Sequence, residues 1–290
     1  MGTNDSATLV VVGDALIDEI RDDAGTREFV GGAALNVAVG LSRLGHETTL
    51  IAMVGDDEAG ERIRAHLAEH GVRLLASSAP HGTARAVSTR VDGEPQYEFN
   101  RAARERLIAF DDEALRAVEE ADLVAVSCVA FDRAAQVDEF ARAFAGVRLA
   151  VDPNPRSGMM SDRAAFVEGF ARFTAGADLV KVGDDDAELL EQGSLDAFAA
   201  ALAAQGVRAV AATRGADGAS LLAAGGSVDR PIADLPGPVI DTMGAGDAVF
   251  AALIAALVER DEPDWETAVE RALAIAAATV RREGALLQLP

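Results

Sequence analysis

Apolar residues follow two rhythms along the chain. Short continuous runs, among them TTLIAMVG (48–55), DLVAVSCVA (122–130), RLAVDPN (148–154), DLVKVG (178–183), RAVAATRG (208–215) and ASLLAA (219–224), read as strands buried on both faces. The first strand is read through TLVVVGDALIDEI (8–20), a β run that ends in Gly13 and acids. Between the runs, apolar positions recur at helical spacing. ALNVAVGLSRLG (34–45) closes at Gly45, AGERIRAHLAEHG (59–71) closes at Gly71, and DRAAQVDEFARAF (132–144) follows the third run. DAVFAALIAALVER (247–260) and WETAVERALAIAAATVRR (265–282) make the last third helical. Strand and helix in alternation predict a largely parallel sheet with helices on both faces, whose ligands lie beyond the carboxyl ends of the strands.

One segment breaks the rhythm. TARAVSTRVDGEPQYEFNR (83–101) alternates in residue type around Asp92-Gly93, a strong hairpin signal in a stretch too polar for a core. It reads as a small β flap; an edge hairpin without a role fits it equally well. No linker, low-complexity tract or internal repeat is visible, so 1–290 reads as a single α/β domain.

Charge narrows the function. Asp plus Glu total 48 against 26 Lys plus Arg, a net charge of −22, which disfavours nucleic acid and anionic membranes as partners. Half the residues are hydrophobic, too many for a disordered chain. Lys181 is the only lysine. Such an acid-rich, lysine-poor composition resembles that of proteins from salt-loving organisms, and a GC-rich genome would also favour Arg and Ala. The lone cysteine, Cys128, excludes an internal disulfide and reads as a small buried hydrophobe. The polar first residues and the lack of an apolar run near the roughly 20 residues of a membrane span predict a soluble, cytoplasmic protein.

The chemistry concentrates in DTMGAGDAVF (241–250). Gly244, Ala245 and Gly246 leave backbone N–H groups open to a ligand at the start of a helix, an arrangement suited to phosphate. Asp247 at that edge could simply cap the helix. It could also act as a general base, taking a proton from a hydroxyl whose oxygen attacks a phosphoryl group while the N–H groups hold the developing charge. A dinucleotide fingerprint is excluded by the missing third glycine and by the 46 residues that follow Gly244, too few for the rest of such a site; a G-x-x-x-x-G-K-[ST] loop is absent.

With these motifs in order, the chain resembles the ribokinase-like carbohydrate kinases of the PfkB family from about residue 9 onward. GGAALNVAVGLSRLG (31–45) and DTMGAGDAVFAALI (241–254) are similar to the family's two signatures, with DPNPR (152–156), DLVKVGDDDAELL (178–190) and TRGADG (213–218) between them. The resemblance implies a three-layer α/β/α fold with a mostly parallel central sheet and a β lid formed by about 19–30 and 83–101. It implies Asp247 as catalytic base with Gly244, Ala245 and Gly246 as anion hole. It implies Asp18, Gly31, Gly32 and Asn36 on the sugar, with Arg101 near the end of the lid. Asn154, Lys181, Thr213, Gly215, Gly218 and Gly246 fall on the ATP side, as does Arg156. Asp152 and Asp186 are the implied Mg2+ ligands; Asp186 stands where many members have Glu, and the accompanying Asn is absent. Asp241 and the tail VRREGALLQLP (280–290) resemble a K+ loop. A homodimer through the lid is a further implication.

The flap, the DPNPR and DLVKVGDDDAELL segments and the REGALLQLP ending look like the fructokinase branch, although Asp14 stands where that branch usually has Glu. The expectation is an ATP-dependent sugar kinase acting on D-fructose. Ribose, 2-keto-3-deoxygluconate or a nucleoside are the alternatives, and a non-catalytic sugar or nucleotide sensor is the reading of another class. The composition predicts stability in molar KCl and loss of structure in dilute buffer; a circular dichroism melt that ignores salt would refute it.

Overall fold

A computed structural model describes residues 6–22, 25–91, 94–260 and 262–290. The elements in chain order begin with strands β1 (Thr8–Gly13), β2 (Leu16–Asp22) and β3 (Gly25–Gly31), helix α1 (Ala33–Arg43), β4 (Glu47–Met53), α2 (Glu58–Glu69), β5 (Arg73–Ser77), β6 (Ala84–Val91) and β7 (Glu94–Phe99). The middle of the chain forms α3 (Arg101–Arg104), α4 (Asp112–Glu119), β8 (Leu123–Ser127), α5 (Ala134–Ala143), β9 (Leu149–Asp152), α6 (Arg163–Thr174), β10 (Leu179–Gly183), α7 (Asp184–Leu189) and α8 (Leu195–Ala204). The remainder forms β11 (Ala209–Thr213), β12 (Ala219–Ala223), β13 (Gly226–Arg230), α9 (Ala245–Glu259) and α10 (Trp265–Thr279).

The large sheet has nine strands in the order β13-β12-β11-β10-β9-β8-β1-β4-β5. The seven strands from β11 to β5 pair in parallel; β12 and β13 are antiparallel additions at one edge. Alternate residues of the central strands face opposite ways. Leu9, Val11, Leu123, Ala125, Ala150 and Leu179 pack under α1, α9 and α10, while Val10, Val12, Val124, Val126, Val151 and Val180 pack under α5, α6 and α8. These apolar-throughout strands are what a sheet covered on both sides requires.

The chain runs outward from β1 in one direction through β4 and β5, and returns on the other side through β8 and its successors. The switch point lies between β1 and β8, whose register sets Gly13 opposite Ser127. Ligands of such sheets sit at the carboxyl ends of the strands flanking that point. A Cβ on Gly13 would lie 1.9 Å from the Ser127 carbonyl oxygen and 2.6 Å from Ala34 Cβ, so only glycine lets strand and helix close there.

The predicted first strand is two strands in two sheets. Asp14 divides it. The Asp14 carbonyl accepts from Leu35 N at 3.2 Å and its Oδ1 accepts from Ala34 N at 3.0 Å, so the chain leaves the large sheet to meet the start of α1. It re-pairs from Leu16 onward with β3 and β6. The result is a small sheet in the order β3-β2-β6-β7, which takes in the segments expected as a flap. Asp92-Gly93 lies outside the described residues, between the antiparallel β6 and β7. The polar pattern did not predict β5, α4, α6, α8 or β13.

Gly13→Ala is expected to cost about 3 kcal/mol, at the upper end for a steric insertion, because the obstacle is backbone. A melting temperature within a degree of the parent's would show that the two strands can separate freely at this point.

Candidate active site

Helix α9 begins at Gly244, whose φ of 74° is left-handed and where a Cβ would approach the Ala285 oxygen to 2.4 Å. Only glycine fits both conditions. No side chain caps this 15-residue helix, so its first turn presents N–H groups and the positive end of its dipole to whatever lies outside. Asp247 sits in that first turn and is buried. Asn36 of α1 donates from Nδ2 to Asp247 Oδ2 at 2.8 Å. Burial pushes the Asp247 carboxyl up to about 6, against the pull of Asn36, Lys181 and Arg156. The two signature segments, separated by more than two hundred residues, therefore meet at one hydrogen bond.

A second carboxylate faces the same space from β2. A Cβ on Gly31 would lie 2.2 Å from Asp18 Oδ2, so the end of β3 is glycine because that carboxylate occupies the room. Gly32, at φ 111°, leaves the same gap beside the Asp14 carbonyl. Burial pushes Asp18 up to about 7; Asp14 and Asp247 raise it further, and Arg156 opposes them. Burial likewise raises Asp14, opposed by the Ala34 N–H, Arg106, Arg156 and Cys128. The charges of Asp14 and Asp247 thus both act on Asp18, and the exposed Arg156 opposes the rise of all three.

On the other side of Asp247, Lys181 of β10 donates from Nζ to Asp152 Oδ2 of β9 at 3.1 Å, and both residues are buried. Burial raises the Asp152 carboxyl, with Lys181 opposing. The Lys181 ammonium also backs the start of α9, since a Cβ on Gly246 would come within 3.1 Å of Nζ. Asn154, at φ 37°, bends the chain so that its N–H donates to Asp152 Oδ1 at 3.2 Å. Asp186 accepts from Gly183 N at 2.7 Å and so caps α7 with one oxygen. Gly183 pairs in register with Thr213, whose loop turns through Gly215 at φ 51° and Gly218 at φ 94°. Asp241 accepts from Met243 N at 3.0 Å and from Gly284 N at 3.1 Å, joining the glycine loop to the tail.

The structure thus gathers Asp18, Gly31, Gly32, Asn36, Asp247 and the 244–246 turn on one side, and Asp152, Asn154, Lys181 and Asp186 behind them. Arg101 does not join either group: its side chain is 63% exposed and pairs with Glu105 at 3.0 Å. Among the described residues no three His, Cys, Asp or Glu side chains form a ready metal cage. Asp152 and Asp186 suit a magnesium ion that arrives on phosphates and needs only one or two carboxylates. Two residues beside the pocket carry no sequence signal of their own. Asp14 enters the sequence reading only as a departure from the fructokinase branch, and Arg106 lies in the charged run RAARERL, which no motif singles out.

An uncapped helix start beside a buried carboxylate, at the switch point of a parallel sheet, can hold an anion next to a base. The model of the pfkB family carbohydrate kinases matches residues 6–290, and the chain belongs to that family: it is a carbohydrate kinase. A fructokinase of Rhizobium leguminosarum bv. trifolii is 30% identical over 269 residues, 86% of this chain and 79% of that protein. Fructokinase-1 of Zea mays is 27% identical, covering 97% and 94%. Among solved structures, aminoimidazole riboside kinase of Salmonella enterica, complexed with aminoimidazole riboside and an ATP analogue, superposes with a TM-score of 0.76 at 26% identity, covering 96% and 95%. The ATP-bound fructokinase of Xylella fastidiosa, at 22% identity, a TM-score of 0.79 and coverage of 96% and 94%, shares the ribokinase-like fold.

The raised Asp247 has a consequence for stability. The folded chain holds its proton up to about pH 6, the unfolded chain only to the ordinary value of 3.8. Stability from this residue is therefore full below about pH 4 and is lost as pH rises through 6, on the order of 2–3 kcal/mol in all. Asp247→Asn, which can still accept from Asn36, is expected to melt above the parent at pH 8, with the gain vanishing near pH 3. A variant that melts lower at pH 8 contradicts this.

Proposed function

We propose that the chain transfers the γ-phosphoryl group of ATP to a hydroxyl of a neutral sugar, D-fructose first. The observation that carries this reading is the 2.8 Å bond from Asn36 to Asp247 at the uncapped start of α9. Asp18 and Asn36 accept and donate to sugar hydroxyls, with Gly31 and Gly32 giving the ring access to the backbone. Asp247, ionised, takes the proton of the attacking hydroxyl. The N–H groups of 244–246 and the positive end of α9 receive the charge that develops on the transferred group. Lys181 and Arg156 supply positive charge on the triphosphate side, with Asn154, Thr213, Gly215 and Gly218 lining the nucleotide. Asp152 and Asp186 would hold the magnesium that ATP brings, which would supply charge neutralisation at the phosphates. Asp241 and the 280–285 turn form the junction where K+ would act.

Two features support a neutral sugar. On the acceptor side Asp247 is ionised at neutral pH and Asp18, raised to about 7, is partly so, and an acidic substrate meets like charge there. The relatives named above at 27–30% identity are fructokinases. The riboside substrate of the Salmonella neighbour keeps ribosides in the test.

The experiment is ADP release from Mg-ATP in molar KCl across fructose, ribose, glucose, 2-keto-3-deoxygluconate and adenosine. Fructose is expected to turn over fastest. Asp247→Asn is expected to lose about 10²–10⁴-fold in kcat, as removal of a general base does, while still binding ATP. In the parent, kcat/KM is expected to fall on the acid side between about pH 6 and 7, the range into which burial raises Asp247 and Asp18. Faster turnover of 2-keto-3-deoxygluconate than of any neutral sugar would overturn the charge argument. Near-normal turnover by Asp247→Asn would remove the base.

A further inference from the structure

Arg106 follows α3 in a run whose other charged members, Arg101, Arg104 and Glu105, are exposed, yet it is itself buried. Its guanidinium donates from Nε to the Cys128 carbonyl at 3.2 Å. Nη1 donates to Ala103 O at 3.2 Å and Met159 O at 2.9 Å, and Nη2 donates to Val129 O at 3.2 Å. Among the described residues no carboxylate lies within ion-pair distance of it, although its charge acts on Asp14. Burying a cation against carbonyl dipoles alone is costly. The three segments it joins explain its presence. They are the end of α3, the exit of β8 and the 3-10 turn Ser157–Met159, and they carry the packed side chains Ala103, Cys128 and Met159.

Those side chains meet Ala33, next to Gly32, and partly buried Phe99. Together with Asp14, Leu16 and Arg106 they line a small cavity of about 20 Å³. Cys128 stands at φ 53°, a strained left-handed conformation for a residue with a side chain, and the bond from Arg106 holds its carbonyl in that turn. Met159 N also donates to the Arg156 carbonyl at 2.9 Å, so the turn that Arg106 grips is the one that starts at Arg156.

We propose that Arg106 is a positioning residue of the acceptor site: by tying Ala103, Cys128, Val129 and Met159 to one guanidinium it sets the floor beneath the sugar. This rests on the sugar-kinase reading above. Because four acceptors are spread around a planar fork, lysine is only a partial substitute, since its point charge offers three donors. Removal of the guanidinium misplaces the floor without touching the nucleotide loops at 213–218.

The test compares the parent with Arg106→Lys and Arg106→Met on the acceptor that the parent turns over. Arg106→Met is expected to raise the sugar KM by about tenfold or more while the ATP KM stays within about twofold. Arg106→Lys, which keeps the charge and carries the test if Arg106→Met fails to fold, is expected to raise it by about threefold. Sugar and ATP KM values that rise together would overturn the proposal, as would a sugar KM unchanged in both variants. Silence of the parent on every acceptor would count against the function, and Arg106 would then be judged by amide hydrogen exchange. Faster exchange confined to 127–130 and 157–160 supports the tie; a uniform increase, or none, overturns it.

Discussion

The arrangement depends on a charge kept out of water. Asp247 is ionised at neutral pH only because Asn36, Lys181 and Arg156 offset the loss of hydration. Each of those partners comes from a different part of the chain, so the site exists only when the large sheet is fully wound. Asn36 arrives on α1 after β1 and the small sheet. Lys181 arrives on β10, three places from β1 in the sheet order. Arg156 arrives on the turn after β9. A carboxylate raised to about 6 is still ionised at pH 7 and is more basic than an exposed one. Burial therefore costs stability and supplies basicity through the same desolvation.

Close backbone approach is the second constraint, and it explains where the glycines fall. At Gly13 the obstacle is a carbonyl of the neighbouring strand, at Gly31 the Asp18 carboxylate, at Gly244 the tail at Ala285. In each case a side chain would separate two elements that bear on the pocket. The glycine-rich loop of 241–250 is thus as much a packing requirement against the tail as an opening for a ligand. Asp241, bonded to Met243 N and Gly284 N, holds the same junction from the other side.

Much of this was legible in the sequence. The strand–helix rhythm located the central strands and the last two helices, because residues buried on both faces of a sheet are apolar without interruption. DTMGAGDAVF announced an open helix start, because small residues before an acid and an apolar run leave the first N–H groups uncovered. The break in the first strand was not legible: Asp14 diverts the chain through bonds to Ala34 and Leu35, twenty residues away, and no local pattern records them. Arg101 and Arg106 show the limit most clearly. They lie five residues apart in one polar run; the first points outward to Glu105 and the second is buried under the pocket. Which arginine turns inward is decided by four carbonyls from distant segments, which composition and periodicity cannot encode.

The lone lysine carries the last step. Every other basic residue apart from histidine is arginine, so whatever shaped this composition replaced or avoided lysine at every position but 181. The space there is the reason that the geometry offers. Nζ lies between the Asp152 carboxylate at 3.1 Å and the start of α9, where even a methyl group on Gly246 would press against it. A planar guanidinium needs room for five donors and would leave several of them unbonded in a buried site. A compact ammonium bonds Asp152 and backs the open helix turn. Size, rather than charge, accounts for lysine at that point, and it separates Lys181 from Arg106, whose four widely spaced carbonyls call for the larger cation.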